Sequence, residues 1–260
     1  MKRIILALIC LAVLASPAAA EGWKAALFTS AYGPERLFAI DKDSQTLFLL
    51  GKKSPIELIR KLPCTTGQSV GDKLAKGDMR TPEGVYFVGQ KLDRGLDYDL
   101  YGSVAYTLNF PNPVDRIKGK SGSGIWIHGR GKDFGPRDTR GCVALKPADI
   151  KSLDTELSYN TPVVIAGSVT WSREAGGSEK AVETLAERVR VWAVDWQDRS
   201  ERFFSHYDQH KFSLSEGSDF RNFKAHKEKI FGSKPWIQVM VDNIRILQGP
   251  DYWVTWFDQF

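Results

Sequence analysis

The residues best placed to do chemistry are one histidine and one cysteine, fourteen positions apart. His128 closes the run Ile125-Trp-Ile-His128-Gly129, and Cys142 lies in Thr139-Arg140-Gly141-Cys142-Val143-Ala144-Leu145, each at the end of an apolar, strand-like run. No other histidine occurs before position 206. A thiol attacks a carbonyl carbon only as the thiolate, and a neighbouring imidazole that takes the proton is the simplest activator. The pair therefore points to cysteine acyl-transfer chemistry. A metal hydrolase is disfavoured, because a lone histidine in this half of the chain cannot supply a ligand set. No cofactor is expected.

Such a pair needs a rigid frame. Short apolar or alternating runs broken by Gly, Pro and Asp read as strands at 37–40, 46–50, 57–62, 84–88, 104–110, 124–127, 143–145 and 163–166. Asp41-Lys-Asp-Ser44 is a hairpin turn between the first two, and one short helix fits 147–157 with Pro147 in its first turn. The expected fold is a mainly β catalytic domain over 21–167, a sandwich or open barrel, with the reactive residues on strand ends and loops. A small, polar linker is expected at 168–178, then a smaller α+β module at 179–260. There Val182, Leu185, Val189, Trp192 and Trp196 step at helical spacing behind a Ser178 cap. Further helices fit 200–207 (Phe203, Phe204, Tyr207) and 219–231 (Phe220, Phe223, Ile230), followed by strands at 237–247 and 252–260. The aromatics read as core rather than as a ligand box, and His206, His210 and His226 lack metal-ligand partners. The closing strand, Trp253-Val-Thr-Trp-Phe-Asp-Gln-Phe260, has no further strand to cover its edge. That predicts either a shortened module or an edge covered by another subunit, a homodimer through the C-terminal module.

Residues 1–20 read as a secretory signal: Lys2 and Arg3, an apolar core from Ile4 to Leu14, and Ala18-Ala19-Ala20 before Glu21. An uncleaved N-terminal anchor is the alternative. Cys10 is expected to leave with the signal, which predicts a periplasmic or cell-envelope location for the rest. Two cysteines then remain. The plain reading of an exported pair is a Cys64–Cys142 disulfide; the other is a buried structural thiol at Cys64 and a reactive one at Cys142, with reversible pairing as a switch. Beyond residue 20 there are 34 basic and 31 acidic side chains, and the mild excess falls within 21–167. That suits an anionic substrate and argues against nucleic acid, which calls for a denser basic stripe.

The order and spacing of His128 and Cys142 match neither papain-like enzymes nor caspases. They do resemble the L,D-transpeptidase catalytic domain, marked by His-Gly, a loop, then Ser/Thr-His/Arg-Gly-Cys; here these are His128-Gly129 and Thr139-Arg140-Gly141-Cys142. Upstream, Cys64-Thr-Thr-Gly67, Gly71-Asp-Lys73 and Gly77-Asp-Met-Arg-Thr-Pro-Glu-Gly-Val-Tyr86 are similar to the strand-and-turn region of that family. The resemblance implies attack by Cys142 on the diaminopimelate–D-alanine bond of a murein stem peptide, with His128 as base and the Gly129 carbonyl orienting the imidazole. It also implies an oxyanion site at the amides around Gly141–Val143, Arg140 on a substrate carboxylate and Thr139 ordering the loop. Arg80, Arg116, Arg130 and Arg137 are weaker candidates for carboxylate contacts. Trp192, Trp196, Phe203-Phe-Ser-His-Tyr207 and the closing strands resemble the nuclear-transport-factor-2-like modules of certain cell-shape enzymes, which implies L,D-carboxypeptidase action as an alternative to transpeptidation. A catalytically idle wall-binding scaffold with Cys142 locked in a disulfide is the reading from another class.

Overall fold

The computed structural model describes residues 2–6, 22–53, 56–172 and 178–260. Most of the expected signal, residues 7–20, lies outside the described residues, and Lys2–Leu6 forms strand β1. Then come β2 (Lys24–Phe28) and the eight strands of the principal sheet. These are β3 (Arg36–Asp41), β4 (Thr46–Gly51), β5 (Glu57–Pro63), β6 (Gly84–Leu92), β7 (Ala105–Leu108), β8 (Trp126–Gly129), β9 (Val143–Leu145) and β10 (Pro162–Ala166). Every strand expected within 37–166 is present. Their spatial order is β5-β4-β3-β10-β6-β7-β8-β9, antiparallel except for β3/β10 and β8/β9. Just after β5, Thr65 exchanges backbone hydrogen bonds with Ala144 on β9 (2.8 and 2.9 Å), so the first strand returns to the last and the sheet nearly closes into a barrel.

Both faces of the central strands are dry, which is why they read as continuous apolar runs. Phe38, Ile40, Leu47, Leu49, Tyr86, Val88, Val163 and Ile165 point into the barrel. Their neighbours Leu37, Ala39, Phe48, Leu50, Val85, Phe87, Val164 and Ala166 point the other way, into a second core. Helices α1 (Tyr98–Tyr101) and α2 (Pro113–Ile117) were not legible from periodicity, being single turns set by their caps: Asp97 for α1, and for α2 Asn112 in reciprocal hydrogen bonds with Asp115. The helix expected over 147–157 is regular only across α3 (Pro147–Lys151); tighter turns follow, with Leu153 and Leu157 still buried.

The second core corrects the expected domain organisation. The presumed linker begins as strand β11 (Ser168–Ser172), which pairs in parallel with β2; residues 173–177 lie outside the described set. Beyond it run α4 (Ser178–Gln197), α5 (Arg202–Ser205), α6 (Gln209–Glu216), α7 (Phe220–Ser233), β12 (Val241–Gln248) and β13 (Trp253–Gln259). Trp192, Phe203, Phe204 and Phe220 are buried among Trp196, Tyr207, Phe212 and Phe223, so the aromatics are core, as their spacing predicts. Leu247, Tyr252, Val254 and Trp256, however, pack on the outer face of the catalytic sheet. An apolar outer face must be covered, and the module is that cover rather than a tethered bead. With β1 in place the final strand is not an open edge: β13 lies between β12 and β1.

Tyr252 joins the two parts. It is buried, accepts a hydrogen bond at its hydroxyl from Val85 N–H (3.1 Å), and fills the space over Gly84, where a Cβ would lie 2.6 Å from that hydroxyl oxygen. Tyr252→Ala should cost about 3 kcal/mol. Urea unfolding of wild type and variant should each show one transition; two separate transitions in the wild type would contradict a shared core.

Candidate active site

Strand alternation decides where the two reactive side chains point. Ile125 and Ile127 fill the barrel core, which turns Trp126 and His128 to the opposite face of β8. Val143 and Leu145 do the same on β9, turning Cys142 and Ala144 outward. The parallel register sets His128 against Ala144, so Cys142, two residues earlier, is its diagonal neighbour on the same face. The two side chains therefore share one face, diagonal to each other.

His128 is buried, and its Nδ1 lies 2.5 Å from the Gly129 carbonyl oxygen. A carbonyl can only accept, so Nδ1 carries the hydrogen and Nε2 is left with its lone pair. Burial, partly offset by that hydrogen bond and reinforced by Arg130, lowers the His128 pKa to about 4. The imidazole is therefore neutral, a ready base, across the physiological range. Gly129 has no room for a side chain without pressing Ile150 Cγ2 (3.2 Å) and Gly102 Cα (3.3 Å). Tyr101 packs edge-on to the imidazole with ring centroids 5.2 Å apart, and against Trp126 at 5.3 Å.

Cys142 is half-buried, and its Sγ sits 3.4 Å from the Gly124 carbonyl oxygen. Burial raises the thiol pKa, against the opposing pull of the Trp126 backbone N–H and the Lys73 ammonium. Thiol and imidazole are thus both neutral at rest. Thr139 Oγ1 donates to the Cys142 carbonyl (2.7 Å) and accepts from Gly141 N–H (3.1 Å), which ties the loop to itself. Gly141 adopts φ +127°, and a Cβ there would lie 2.8 Å from the Arg80 carbonyl oxygen, so the close approach admits only glycine. Because the Gly141 amide is already engaged, it is not free to bind an oxyanion as expected. Val143 is wholly buried, with its side chain in the core.

Arg140 is exposed and carries no hydrogen bond or ion pair among the described residues, so its guanidinium is available. The other arginines are committed elsewhere. Arg116 donates to the Ser215 and Pro111 carbonyls, tying α2 to α6, while Arg130 is held by Asp138 and Arg137 by Asp43. Arg80 reaches the Asp72 carbonyl at 3.4 Å. Cys64 and Cys142 are both free, which leaves the second of the two readings, a buried thiol at Cys64, in place of a disulfide. The reason is geometric: Cys64 faces the barrel core beside Val143 and Leu145, and Cys142 faces away from it. Burial, with Asp41 adding to it, pushes the Cys64 thiol up to about 12, an inert structural group. Tyr101, Trp126, Gly124 and Lys73 were missed in the sequence as neighbours of the pair. Lys73 stood inside a recognised motif, and Trp126 stands two residues before His128, on the same face by strand alternation; for Tyr101 and the Gly124 carbonyl no such signal existed.

With this geometry in place, the comparisons fall into line. The L,D-transpeptidase catalytic domain family (YkuD) matches residues 35–165, half of the chain, and the protein belongs to that family. It is therefore a peptidoglycan-modifying enzyme. The C-terminal NTF2-like domain of Cds6 matches residues 184–254. Among solved structures, Bd1075 of Bdellovibrio bacteriovorus is 27% identical with a TM-score of 0.68, over 88% of this chain and 82% of that one. The helical cell shape determining protein Pgp2 from Campylobacter jejuni is 24% identical with a TM-score of 0.64, over 86% of this chain and 80% of that one. No curated protein matches the sequence.

Proposed function

We propose that the chain is an exported cysteine acyl-transfer enzyme that cleaves the diaminopimelate–D-alanine bond of murein stem tetrapeptides. The observation that carries this reading is the shared outward face of His128 and Cys142, with Nδ1 pinned by Gly129 and Nε2 free. Cys142 Sγ attacks the diaminopimelyl carbonyl as Nε2 takes the thiol proton. The tetrahedral oxyanion leans on the Cys142 backbone amide, since the neighbouring Gly141 amide is occupied. Collapse breaks the C–N bond, the imidazolium returns its proton to the departing amine, and D-alanine leaves behind a thioester. An amine or a water then attacks that thioester, His128 takes its proton, and the thiol is restored. Arg140, exposed and unpaired among the described residues, would hold a substrate carboxylate as a planar two-pronged cation.

The similarity of both modules to Pgp2, a helical cell shape determining protein, supports a role in cell shape; water as acceptor with tripeptide as product is the alternative to an amine acceptor. Export is part of the proposal: removal of residues 1–20 would release the enzyme to the periplasm and withdraw β1 from the edge of β13. The exposed edge is where a homodimer through the C-terminal module would form. Mass spectrometry of muropeptides after incubation with the enzyme tests the reaction. Tripeptides alone are the outcome expected of a carboxypeptidase, and diaminopimelate–diaminopimelate crosslinks would assign transpeptidation. Unchanged tetrapeptides would refute both.

A further inference from the structure

A lysine buried under the loop that meets the Cys142 thiol calls for a reason, because burying an ion pair gives little net stability. The Lys73 side chain is 4% exposed, with its Nζ 2.7 Å from Asp78 Oδ1 and 3.2 Å from the Ala75 carbonyl oxygen. Its stem lies under the 119–124 loop: a Cβ on Gly122 would sit 3.3 Å from Lys73 Cε. Two hydrogen bonds sew the segments together there, Ser121 N–H to the Leu74 carbonyl (3.0 Å) and Lys76 N–H to Ser121 Oγ (3.3 Å). The same loop ends at Gly124, whose carbonyl oxygen meets Cys142 Sγ.

We propose that Lys73 is a positioning residue for Cys142: anchored by Asp78, it braces the 119–124 loop that clasps the sulfur and supplies the positive field in which the thiolate develops. This rests on the reading of Cys142 as nucleophile.

Asp78 does not simply cancel that field. Its carboxylate also accepts from the Leu74, Ala75 and Arg80 amides (2.8, 3.0 and 3.1 Å), which spreads its charge over the turn. Burial opposes ionisation there, but Lys73 and those three amides together hold the carboxyl far below the usual range. Other charges near the thiol are accounted for. His128 on β8 is neutral, Arg140 on the cysteine loop is exposed, and the Arg80 guanidinium turns to the Asp72 carbonyl. Lys120, in the braced loop, is matched by Asp72 at 2.6 Å and Asp115 at 2.8 Å.

The test is the pH dependence of Cys142 alkylation by iodoacetamide, mapped by peptide mass, alongside kcat and KM for D-alanine release, in the full chain. Lys73→Met should raise the midpoint of alkylation by about one pH unit and lower kcat about 10- to 100-fold, with KM little changed. Lys73→Arg should restore most of both. Asp78→Asn, which leaves the ammonium uncompensated, should move the midpoint down. A folded Lys73→Met variant with an unmoved midpoint would reduce Lys73 to a loop brace and overturn the proposal. Should Lys73→Met fail to fold, Asp78→Asn decides, and an unmoved or raised midpoint there overturns it equally. Alkylation reports the thiol without turnover, so a failure of the nucleophile assignment, seen as Cys142→Ala retaining activity, is a separate result.

Discussion

Cys142→Ala is expected to abolish D-alanine release from murein tetrapeptides, by at least about 10⁴-fold, while the protein remains folded. The size of the loss follows from the chemistry. The other described cysteine, Cys64, cannot stand in, being turned into the core with its thiol pushed up to about 12. The mildness toward folding follows from position: Cys142 is half-buried at a strand end, whereas its neighbours Val143 and Leu145 are the ones that fill the barrel. Release of D-alanine by the variant at more than about one per cent of the wild-type rate would contradict the nucleophile assignment. A thermal scan beside the assay separates lost chemistry from lost fold.

His128→Ala should cost about 10²- to 10⁴-fold in kcat/KM and slow alkylation of Cys142 at neutral pH. Unchanged alkylation kinetics would count against His128 as the base. The pH profile carries the sharper signature. Because burial lowers the His128 pKa to about 4, kcat/KM in the wild type should hold steady as pH falls through 6.5, and drop only on approach to 4. The same shift has a stability consequence with a defined sign. Between pH 6.5 and 4 the unfolded chain binds a proton at this position and the folded chain does not. The contribution is therefore present above pH 6.5 and is lost as pH falls toward 4, by at most about 3 kcal/mol. The alanine variant should lack that component of acid destabilisation. An acid limb near 6.5 in the wild type would mean that the imidazole is not buried as described.

Much of this architecture is legible in the residues because period and burial agree. Strands such as β3 and β4 are apolar between their end residues, and Val182, Leu185, Val189 and Trp192 mark α4 by their three- and four-residue steps. What escaped detection is what depends on a partner distant in sequence. β2 and β11 are recognisable only as a pair, and the apolar side chains of β12 and β13 do not announce that their cover is the outer face of the catalytic sheet. α6 has Phe212 as its one substantial apolar contact, while Leu214 is exposed, so it has no periodic stripe to read. In the site, the His-Gly and Thr-Arg-Gly-Cys signals single out the proposed pair, since backbone geometry demands those glycines locally. Lys73, fifty-five positions before His128, and Tyr101, from a one-turn helix, reach the pair only through the fold. The arginines show the converse: their composition allows several carboxylate contacts, and the structure spends Arg116, Arg130 and Arg137 on binding parts of the protein to each other.

The most direct measurement is peptide-mapped mass spectrometry of enzyme quenched in acid during turnover of a tetrapeptide muropeptide. A hydroxylamine-labile acyl adduct on the peptide containing Cys142, with one D-alanine released per adduct formed, is the predicted result. Turnover with no covalent adduct, or with the acyl group on another side chain, would contradict it.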